Sequence, residues 1–241
     1  MEQRDELSYR YPIVEVFGPT VQGEGLLVGR LSLFVRLGGC DYRCLWCDTM
    51  YAVDARQYAH TWQRMTLDEV VAAVQALASP PVLVTLSGGN PAIHPLAPLV
   101  RRLRSLGYAV ACETQGSIAC EWFRELDVLV LSPKPPSAGQ ITPVEAVRAC
   151  VQVAPDETHL KIVVFGREDY LYARAMFEAF PHLPAVIQLG TPTELQTPQE
   201  LVQHYRDLTA SVLRWLHEDR LYRVRLLPQL HRVLFEATWG V

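Results

Sequence analysis

Short, almost continuous apolar runs alternate along the chain with longer segments of mixed polarity. Most of these runs lack the apolar–polar alternation of a half-exposed strand, and their length is that of strands. Continuous runs of this kind are typical of parallel strands that are covered on both faces. The predicted strands are Leu31–Leu37, Val82–Leu86, Tyr108–Cys112, Val128–Leu131, Leu160–Phe165, Ala185–Leu189 and Tyr222–Leu227.

The segments between the runs carry signals for the ends of helices. Thr66 and Glu69 have the spacing of a capping box, in which each side chain bonds a free amide of the first turn. Two Thr-Pro-x-Glu segments, at 142–145 and 197–200, repeat this pattern with proline at the first helical position. A further helix is predicted to end at Gly107. Such alternation predicts an α/β fold with a parallel sheet or open barrel, whose chemistry collects at the carboxyl ends of the strands.

Composition favours one globular domain that covers residues 1–241. The chain is 49% hydrophobic, and its net charge of −4 lacks the basic excess of a duplex-binding protein. Five arginines near the end are interpreted as a solvated face. No apolar run approaches the roughly 20 residues that a bilayer requires, and the first residues do not resemble a signal peptide. We therefore expect a cytoplasmic protein with no membrane contact. The arginines are Arg214, Arg220, Arg223, Arg225 and Arg232.

Three of the six cysteines fall within eight residues, directly after a predicted strand and two glycines. These thiols, Cys40, Cys44 and Cys47, are candidates for a metal or redox site. Three thiolates can bind three irons of a [4Fe–4S] cluster and leave the fourth iron open to an external chelator. Zinc, which usually takes four protein ligands in structural sites, and inert thiols are the alternatives. The scattered cysteines, Cys112, Cys120 and Cys150, are interpreted as buried structural residues.

The spacing Cys40-x₃-Cys44-x₂-Cys47, with an aromatic residue at Trp46, resembles the signature of the radical S-adenosylmethionine (SAM) enzymes. In that superfamily the amino and carboxylate groups of SAM chelate the open iron, and reductive cleavage gives a 5′-deoxyadenosyl radical. Gly88-Gly89-Asn90-Pro91 stands where members usually have Gly-Gly-Glu-Pro, a turn that meets the amino group of SAM. Asparagine keeps an acceptor, so we expect this contact to survive with altered polarity.

Further segments resemble one family of this superfamily, the 7-carboxy-7-deazaguanine synthases of the queuosine pathway. They are Gln22-Gly-Glu-Gly25, Cys47-Asp-Thr49, Glu113-Thr-Gln-Gly116, Ser132-Pro-Lys134 and Leu227-Pro-Gln-Leu-His231, which follow one another in order. The resemblance implies a compact, partial (open) (βα)6-type TIM-like barrel. It also implies a substrate loop at 17–25, a cluster loop at 38–49 and a C-terminal segment, 222–241, that closes the site.

The resemblance further implies a carbon–nitrogen lyase that depends on SAM and Mg²⁺. It would contract the ring of 6-carboxy-5,6,7,8-tetrahydropterin to 7-carboxy-7-deazaguanine, with loss of ammonia and with a radical derived from SAM. Thr49 matches the Mg²⁺ ligand of the family. Implied to contact SAM are Trp46, Cys47, Asp48, Gly89, Ser132, Pro133 and Lys134. Implied to hold the pterin are Val21, Gln22, Gly23, Glu24, Arg36, Ser87 and Val241.

Arg36 also attracts notice from its own position, because it interrupts an apolar run and needs an anionic partner; a bound carboxylate is the candidate. An activase of glycyl-radical enzymes is the alternative enzyme, and a non-enzymatic zinc or nucleic-acid module is the alternative outside catalysis. The activase would give no role to Gln22, Glu24 or Arg36. The family resemblance implies a homodimer and a flavodoxin-like electron donor, with no direct contact to nucleic acid.

Overall fold

The structure is a computed structural model and describes residues 9–195 and 197–235. Its strands are β1 (Tyr11–Val21), β2 (Leu31–Leu37), β3 (Gln63–Met65), β4 (Leu83–Gly88), β5 (Ala109–Thr114), β6 (Val128–Leu131), β7 (Thr158–Val164), β8 (Ala185–Leu189) and β9 (Arg225–Leu227). In this described part they form one sheet in the order β3-β1-β2-β4-β5-β6-β7-β8-β9. Every neighbouring pair from β2 onwards is parallel, and β1 is antiparallel to both β2 and β3.

Helices connect most of the parallel strands. They are α1 (Met50–Val53), α2 (Ala55–Tyr58), α3 (Leu67–Leu77), α4 (Ala97–Ser105), α5 (Val144–Gln152), α6 (Arg167–Ala179), α7 (Pro198–Glu218) and α8 (Leu230–Leu234). Between β5 and β6 the connection is reduced to a 3₁₀ turn, Glu121–Glu125. The sheet begins at β3 and ends at β9, so the prediction of a compact, open barrel is confirmed. Within the described ranges, every helix is too short or too polar to cross a bilayer.

The concave face of the sheet is divided into an apolar lower part and a polar upper part. At the lower end, Leu27 packs onto Leu83, Ala111, Val128 and Val130. Because side chains alternate between the two faces of a strand, the next inward positions lie one step closer to the carboxyl ends. Near the carboxyl ends, inward positions of six strands or of the residues just after them carry polar side chains, and the parallel register brings these to one rim of the sheet. They are Arg36, Ser87, Glu113, Ser132, Lys161 and Gln188.

The strand β1 is missing from the prediction, and it takes part of the segment assigned to the substrate loop. Residues 17–21 belong to β1, so the loop begins at Gln22. Gly18 and Pro19 in this strand conceal it, since proline cannot donate to a sheet. The structure accommodates them at a shift of register between Phe17 and Thr20, where β1 pairs only with β2.

Two of the three predicted caps are confirmed. Thr66 with Glu69 and Thr197 with Glu200 form complete capping boxes at the start of α3 and α7. The prediction for Thr142 is wrong, because α5 has Pro143 at its cap and no side-chain cap. The Thr142 hydroxyl instead accepts a hydrogen bond from the backbone amide of Lys134 at 2.9 Å. A tertiary contact has therefore taken the place of the local one.

Asp169, in the first turn of α6, ties two loops of the rim together. It is buried, and its carboxylate accepts hydrogen bonds from the backbone amides of Ser137 at 3.0 Å and Phe165 at 2.9 Å. Ser137 follows β6 and Phe165 follows β7. This carboxylate therefore holds together the loop after β6, which carries Lys134, and the loop after β7, in which Phe165 packs against Trp46.

We predict that Asp169→Asn lowers the free energy of unfolding by about 2 kcal/mol, because one backbone amide loses a charged acceptor. Urea unfolding followed by circular dichroism measures this. Glu168→Gln is the matched control: it removes a charge from the same helical turn but from an exposed side chain. Equal destabilisation by the two variants would mean that the buried hydrogen bonds contribute nothing beyond helix-end electrostatics.

Candidate active site

The cysteine loop leaves the carboxyl end of β2 and is held by backbone hydrogen bonds to three other segments. The amide of Gly38 donates to the carbonyl of Pro12, that of Gly39 to Ala52, and that of Leu45 to Ala138. Cys40, Cys44 and Cys47 are half-buried and none of them forms a disulfide. The loop therefore presents three uncommitted thiols at the rim of the sheet.

The three thiols share one electrostatic environment. Burial raises the pKa of Cys40 to about 11 and also raises the pKa of Cys44 and Cys47, while the nearby Lys134 ammonium lowers all three. The Cys40 sulfur accepts a hydrogen bond from the amide of Tyr42 at 3.4 Å. A metal has to displace these protons on binding, and a neighbouring cation favours the thiolates.

This donor set fits the [4Fe–4S] cluster of the radical SAM enzymes. Among the side chains that the structure describes, no three His, Cys, Asp or Glu residues converge on a point where one metal ion could bind. A cube differs from a single ion, since each cysteine binds a different iron and the thiols need not converge. Three free thiols beside a cation, with a hydrogen-bond donor on one sulfur, suit such a cluster.

The Gly-Gly-Asn-Pro turn after β4 lies directly against the cysteine loop. The amide of Gly89 donates to the carbonyl of Leu37 at 2.9 Å, and that of Asn90 donates to Gly39 at 2.8 Å. A Cβ atom on Gly89 would lie 2.0 Å from the carbonyl oxygen of Gly39, so any larger residue would push the two loops apart. This close approach is the reason for glycine at that position.

The predicted SAM contacts after β6 meet the cysteine loop from the other side. The Lys134 ammonium donates to the carbonyl of Ser132 at 2.9 Å and to its hydroxyl at 3.2 Å, and it lies 5.8 Å from the centre of the Trp46 ring. Trp46 also donates from its indole nitrogen to Ser137 and packs on Phe165. A ribose or carboxylate placed here would find a cation, a hydroxyl and an aromatic face.

Asp48 and Thr49 complete the cysteine loop. Asp48 is exposed, and the Thr49 hydroxyl lies 3.6 Å from the Cys47 sulfur. No other hydrogen bond of the Thr49 hydroxyl is found in the described part, so its lone pairs remain accessible. Mg²⁺ prefers oxygen ligands and usually keeps several waters, so the oxygens of this Asp-Thr pair suit it.

In the substrate loop the polar groups face protein partners. The side-chain carbonyl of Gln22 accepts the amides of Gly23 at 2.9 Å and Glu24 at 3.4 Å. The carbonyl of Gly23 accepts the amide of Leu230, and a Cβ atom on Gly23 would lie 2.3 Å from the ring of His231. The segment after β9 therefore packs onto this loop. Val21, the last residue of β1, leads into it.

Lys161 lies at the centre of the concave face and joins the loop to the sheet. Its side chain is 2% exposed, and its ammonium donates to the carboxylates of Glu24 and Glu113. Burial alone would raise the pKa of Glu24, but Lys161, His231 and a hydrogen bond from Gln229 outweigh it and lower the pKa to about 2. Burial likewise opposes the charge on Lys161, and the two carboxylates raise its pKa above the ordinary value.

Arg36 finds its partner inside the protein. Its Nε donates to Glu15 on β1 at 2.5 Å, and its guanidinium lies over the rings of Phe17 and Tyr51. Ser87 stands opposite Arg36 in the parallel register of β2 and β4. Within the described residues, the terminal nitrogens of Arg36 make no further hydrogen bond, so they are available to a second anion.

The rim thus brings together the described site residues that the sequence predicts. The predicted contact of Val241 falls in 236–241, outside the described residues. Sequence reasoning missed Glu15, Lys161, Gln188 and Gln229. Lys161 carried a signal, because a lysine in a continuous apolar strand needs a buried anion. Gln188 carried the same kind of signal: its side chain is buried, accepts the amide of Gly25 and donates to the carbonyl of Leu227.

Comparison with known proteins agrees with this geometry. Residues 34–133 match the Radical SAM superfamily. The chain is 35% identical to 7-carboxy-7-deazaguanine synthase of Bacillus subtilis, over 95% of this chain and 98% of the relative. It is 34% identical to the enzyme of that name from Bacillus cereus, over 96% of this chain and 99% of the relative.

A solved structure supports the fold. The crystal structure of QueE from Escherichia coli matches with a TM-score of 0.73 at 21% identity, covering 96% of this chain and 99% of that one. The similarity to the two Bacillus enzymes runs almost from end to end, and the family predicted from the motifs is thereby confirmed. The chain belongs to the 7-carboxy-7-deazaguanine synthase family of the radical SAM superfamily.

Proposed function

We propose that this protein converts 6-carboxy-5,6,7,8-tetrahydropterin to 7-carboxy-7-deazaguanine with release of ammonia, in the biosynthesis of 7-deazapurines such as queuosine. The observation that carries the proposal is the end-to-end similarity to 7-carboxy-7-deazaguanine synthase of Bacillus subtilis, at 35% identity over 98% of that enzyme. The substrate contains the same atoms as the product plus ammonia. No external oxidant is therefore consumed, and the protein has to hold the substrate through a rearrangement without net oxidation.

In this proposal Cys40, Cys44 and Cys47 would hold the [4Fe–4S] cluster, and residues of the cysteine loop and of the neighbouring loops after β4 and β6 would hold SAM. When bound, the cluster and SAM supply a one-electron reduction that leads to hydrogen-atom abstraction. The chain's own part is binding and orientation. Contacts to SAM are assigned to residues on the cysteine loop, at the turn after β4 and in the loop after β6. They are Trp46, Cys47, Asp48, Gly89, Ser132, Pro133 and Lys134.

The polar layer of the concave face is proposed to bind the pterin. Arg36 neutralises the substrate carboxylate through its two terminal nitrogens while Glu15 holds its Nε. Glu24 stays ionised because of Lys161, and a fixed carboxylate matches the N–H donors of an aminopyrimidinone edge. Glu113 assists from the sheet with the carboxylate oxygen that Lys161 leaves free. Val21, Gln22, Gly23, Ser87 and Val241 are the remaining assigned contacts.

Three further features belong to the proposal. Thr49 is assigned as the protein ligand of Mg²⁺, with waters and substrate oxygens completing the shell. The whole chain acts as one domain and pairs as a homodimer, and a flavodoxin-like protein delivers the electrons. Sedimentation equilibrium tests the homodimer, and a monomeric mass at micromolar concentration would contradict it.

The first experiment is an anaerobic turnover assay with reconstituted protein, SAM, a strong reductant, Mg²⁺ and the pterin. We expect a product with the mass of 7-carboxy-7-deazaguanine, detected by mass spectrometry. Cys44→Ala is the control, because it removes a cluster ligand from a half-buried position. Formation of 5′-deoxyadenosine without this product, by protein that holds its cluster, would retain the radical chemistry and contradict the pterin as substrate.

For the Mg²⁺ assignment, we predict that Thr49→Ala slows turnover while its iron and sulfide content stays at the wild-type level. Thr49→Val is a matched variant, because it has the shape of threonine without the oxygen. Steady-state rates at increasing Mg²⁺ test the reason: the variants should need more Mg²⁺ for half-maximal rate. Wild-type rates in excess EDTA would contradict a metal requirement.

Arg36→Met should raise the KM for the pterin and lower kcat/KM by about tenfold to a hundredfold, as expected for loss of a charged hydrogen bond. Arg30→Met is the matched control, since Arg30 is exposed and directly precedes the same strand. Both variants should bind SAM like the wild type in calorimetric titration. An unchanged KM in Arg36→Met would show that the carboxylate binds elsewhere.

A further inference from the structure

A set of polar side chains beside Cys40 bonds mainly within the protein, and it includes Asn90, whose amide oxygen was expected to meet SAM but accepts from Thr114 and Ala92 instead. The carboxylate of Asp41 accepts three side-chain hydrogen bonds: from Asn90 at 2.7 Å, from Gln115 at 2.6 Å and from Ser117 at 2.7 Å. Asn90 follows β4, and the other two follow β5. Asp41 is solvent-exposed, yet it joins the cysteine loop to the segments that follow β4 and β5.

Asn90 is fully buried and uses both ends of its amide. Its oxygen accepts the hydroxyl of Thr114 at 2.7 Å and the amide of Ala92 at 3.2 Å, and its nitrogen donates to Asp41 and Ser117. The amide of Ala92 can only donate and the carboxylate of Asp41 can only accept, so the orientation of the Asn90 amide is fixed.

A carboxylate at position 90 would face the carboxylate of Asp41, and like charges so close together repel. The chain therefore has one carboxylate shared between these two positions, and it stands in the cysteine loop. Repulsion by Asp41 is thus a physical reason for an uncharged side chain at position 90 of this chain.

Gln115 links this network to a cysteine. Its side-chain nitrogen has two hydrogens: one is directed to Asp41, and the sulfur of Cys40 accepts the other at 3.6 Å. Gln115 is buried, so its amide is shielded from bulk water. Hydrogen bonds to the ligand sulfurs are among the factors that set the reduction potential of an iron–sulfur cluster.

We propose that Asp41, Asn90 and Gln115 act as positioning residues for Cys40: Asp41 orients the amide of Gln115 towards the sulfur, and Asn90 holds Asp41 in place. The network thereby sets the reduction potential of the cluster and slows its loss. This inference rests on the proposed function only in so far as Cys40 binds the cluster, and it does not depend on the pterin.

The first test is the reduction potential, measured by a redox titration followed by electron paramagnetic resonance on protein without substrate. Gln115→Met removes the N–H donor and keeps the length of the side chain, so the potential should shift to a more negative value. Gln140→Met is the matched control, because Gln140 also bonds the cysteine loop, but at the amide of Arg43. An unchanged potential in Gln115→Met, or an equal shift in both variants, would overturn the role of Gln115.

The second test is a charge exchange between the two positions. Asn90→Asp alone should speed the loss of iron to a chelator by about tenfold, because it sets two carboxylates against each other. The double variant Asp41→Asn with Asn90→Asp removes the repulsion between two carboxylates, so it should lose iron more slowly than Asn90→Asp alone, although Gln115 then lacks its charged acceptor. If the effects of the two single variants on the rate of iron loss simply add in the double variant, the network is contradicted.

The two proposals can fail separately. A shifted potential in Gln115→Met, together with no turnover of the pterin by the wild-type protein, would contradict the proposed function alone. Normal turnover by the wild type, together with an unshifted potential in Gln115→Met, would contradict the network alone. If Asn90→Asp does not fold, Asp41→Asn tests the same link from an exposed position. Loss of the Asp41 charge by itself raises the potential of a nearby cluster, so the measured quantity is the coupling: Gln115→Met should shift the potential less in the Asp41→Asn background than in the wild type, and an equal shift in both backgrounds would contradict the proposal.

Discussion

The buried ammonium of Lys161 is the constraint around which the concave face is organised. A lone charge at 2% exposure would be very costly, so β7 can carry this lysine only if anions meet it there. Glu113 provides one anion from β5, and Glu24 provides the other from the loop after β1. The ion pair between Lys161 and Glu24 therefore holds the loop after β1 against the sheet. Gln229 donates a hydrogen bond to the same carboxylate and so joins the segment after β9 to this loop.

The cysteine loop depends on a second restraint, in which backbone hydrogen bonds act together with the carboxylate of Asp41. Its glycines bond to Pro12 and Ala52, and the turn at Gly89 packs so closely that no Cβ atom would fit. Such contacts keep the loop in place while leaving all three thiols uncommitted. A site that has to receive a large inorganic group benefits from this arrangement, since the loop is already in place and no disulfide has to be broken first.

The two restraints meet along one rim because the strands are parallel. Their carboxyl ends lie at the same edge of the sheet, and the polar inward positions follow the apolar ones on each strand. The lower, apolar cluster around Leu27 and Ala111 packs at the base of the barrel. The polar groups of the site and the apolar packing of the base thereby lie at different heights along the same strands.

Local pattern alone determined most of the strands, two capping boxes and the cysteine motif, because each depends on residues near one another in the chain. Three predicted strands, Leu31–Leu37, Val128–Leu131 and Ala185–Leu189, coincide with the observed ones. β1 was not predicted, because its glycine and proline argue against a strand and are tolerated only where the register shifts against β2. Likewise, Thr142 has the spacing of a cap but bonds the amide of Lys134 instead.

Only the tertiary structure decided the partners of the buried charges. Arg36 and Glu15 meet across β1 and β2, and Lys161 meets Glu24 from a segment far away in the sequence. Nothing in the local sequence specifies such a pair, because it depends on which strands become neighbours and in which register. The sequence by itself determined which chemistry the protein carries. The order and register of the strands determined which side chains become partners at the site.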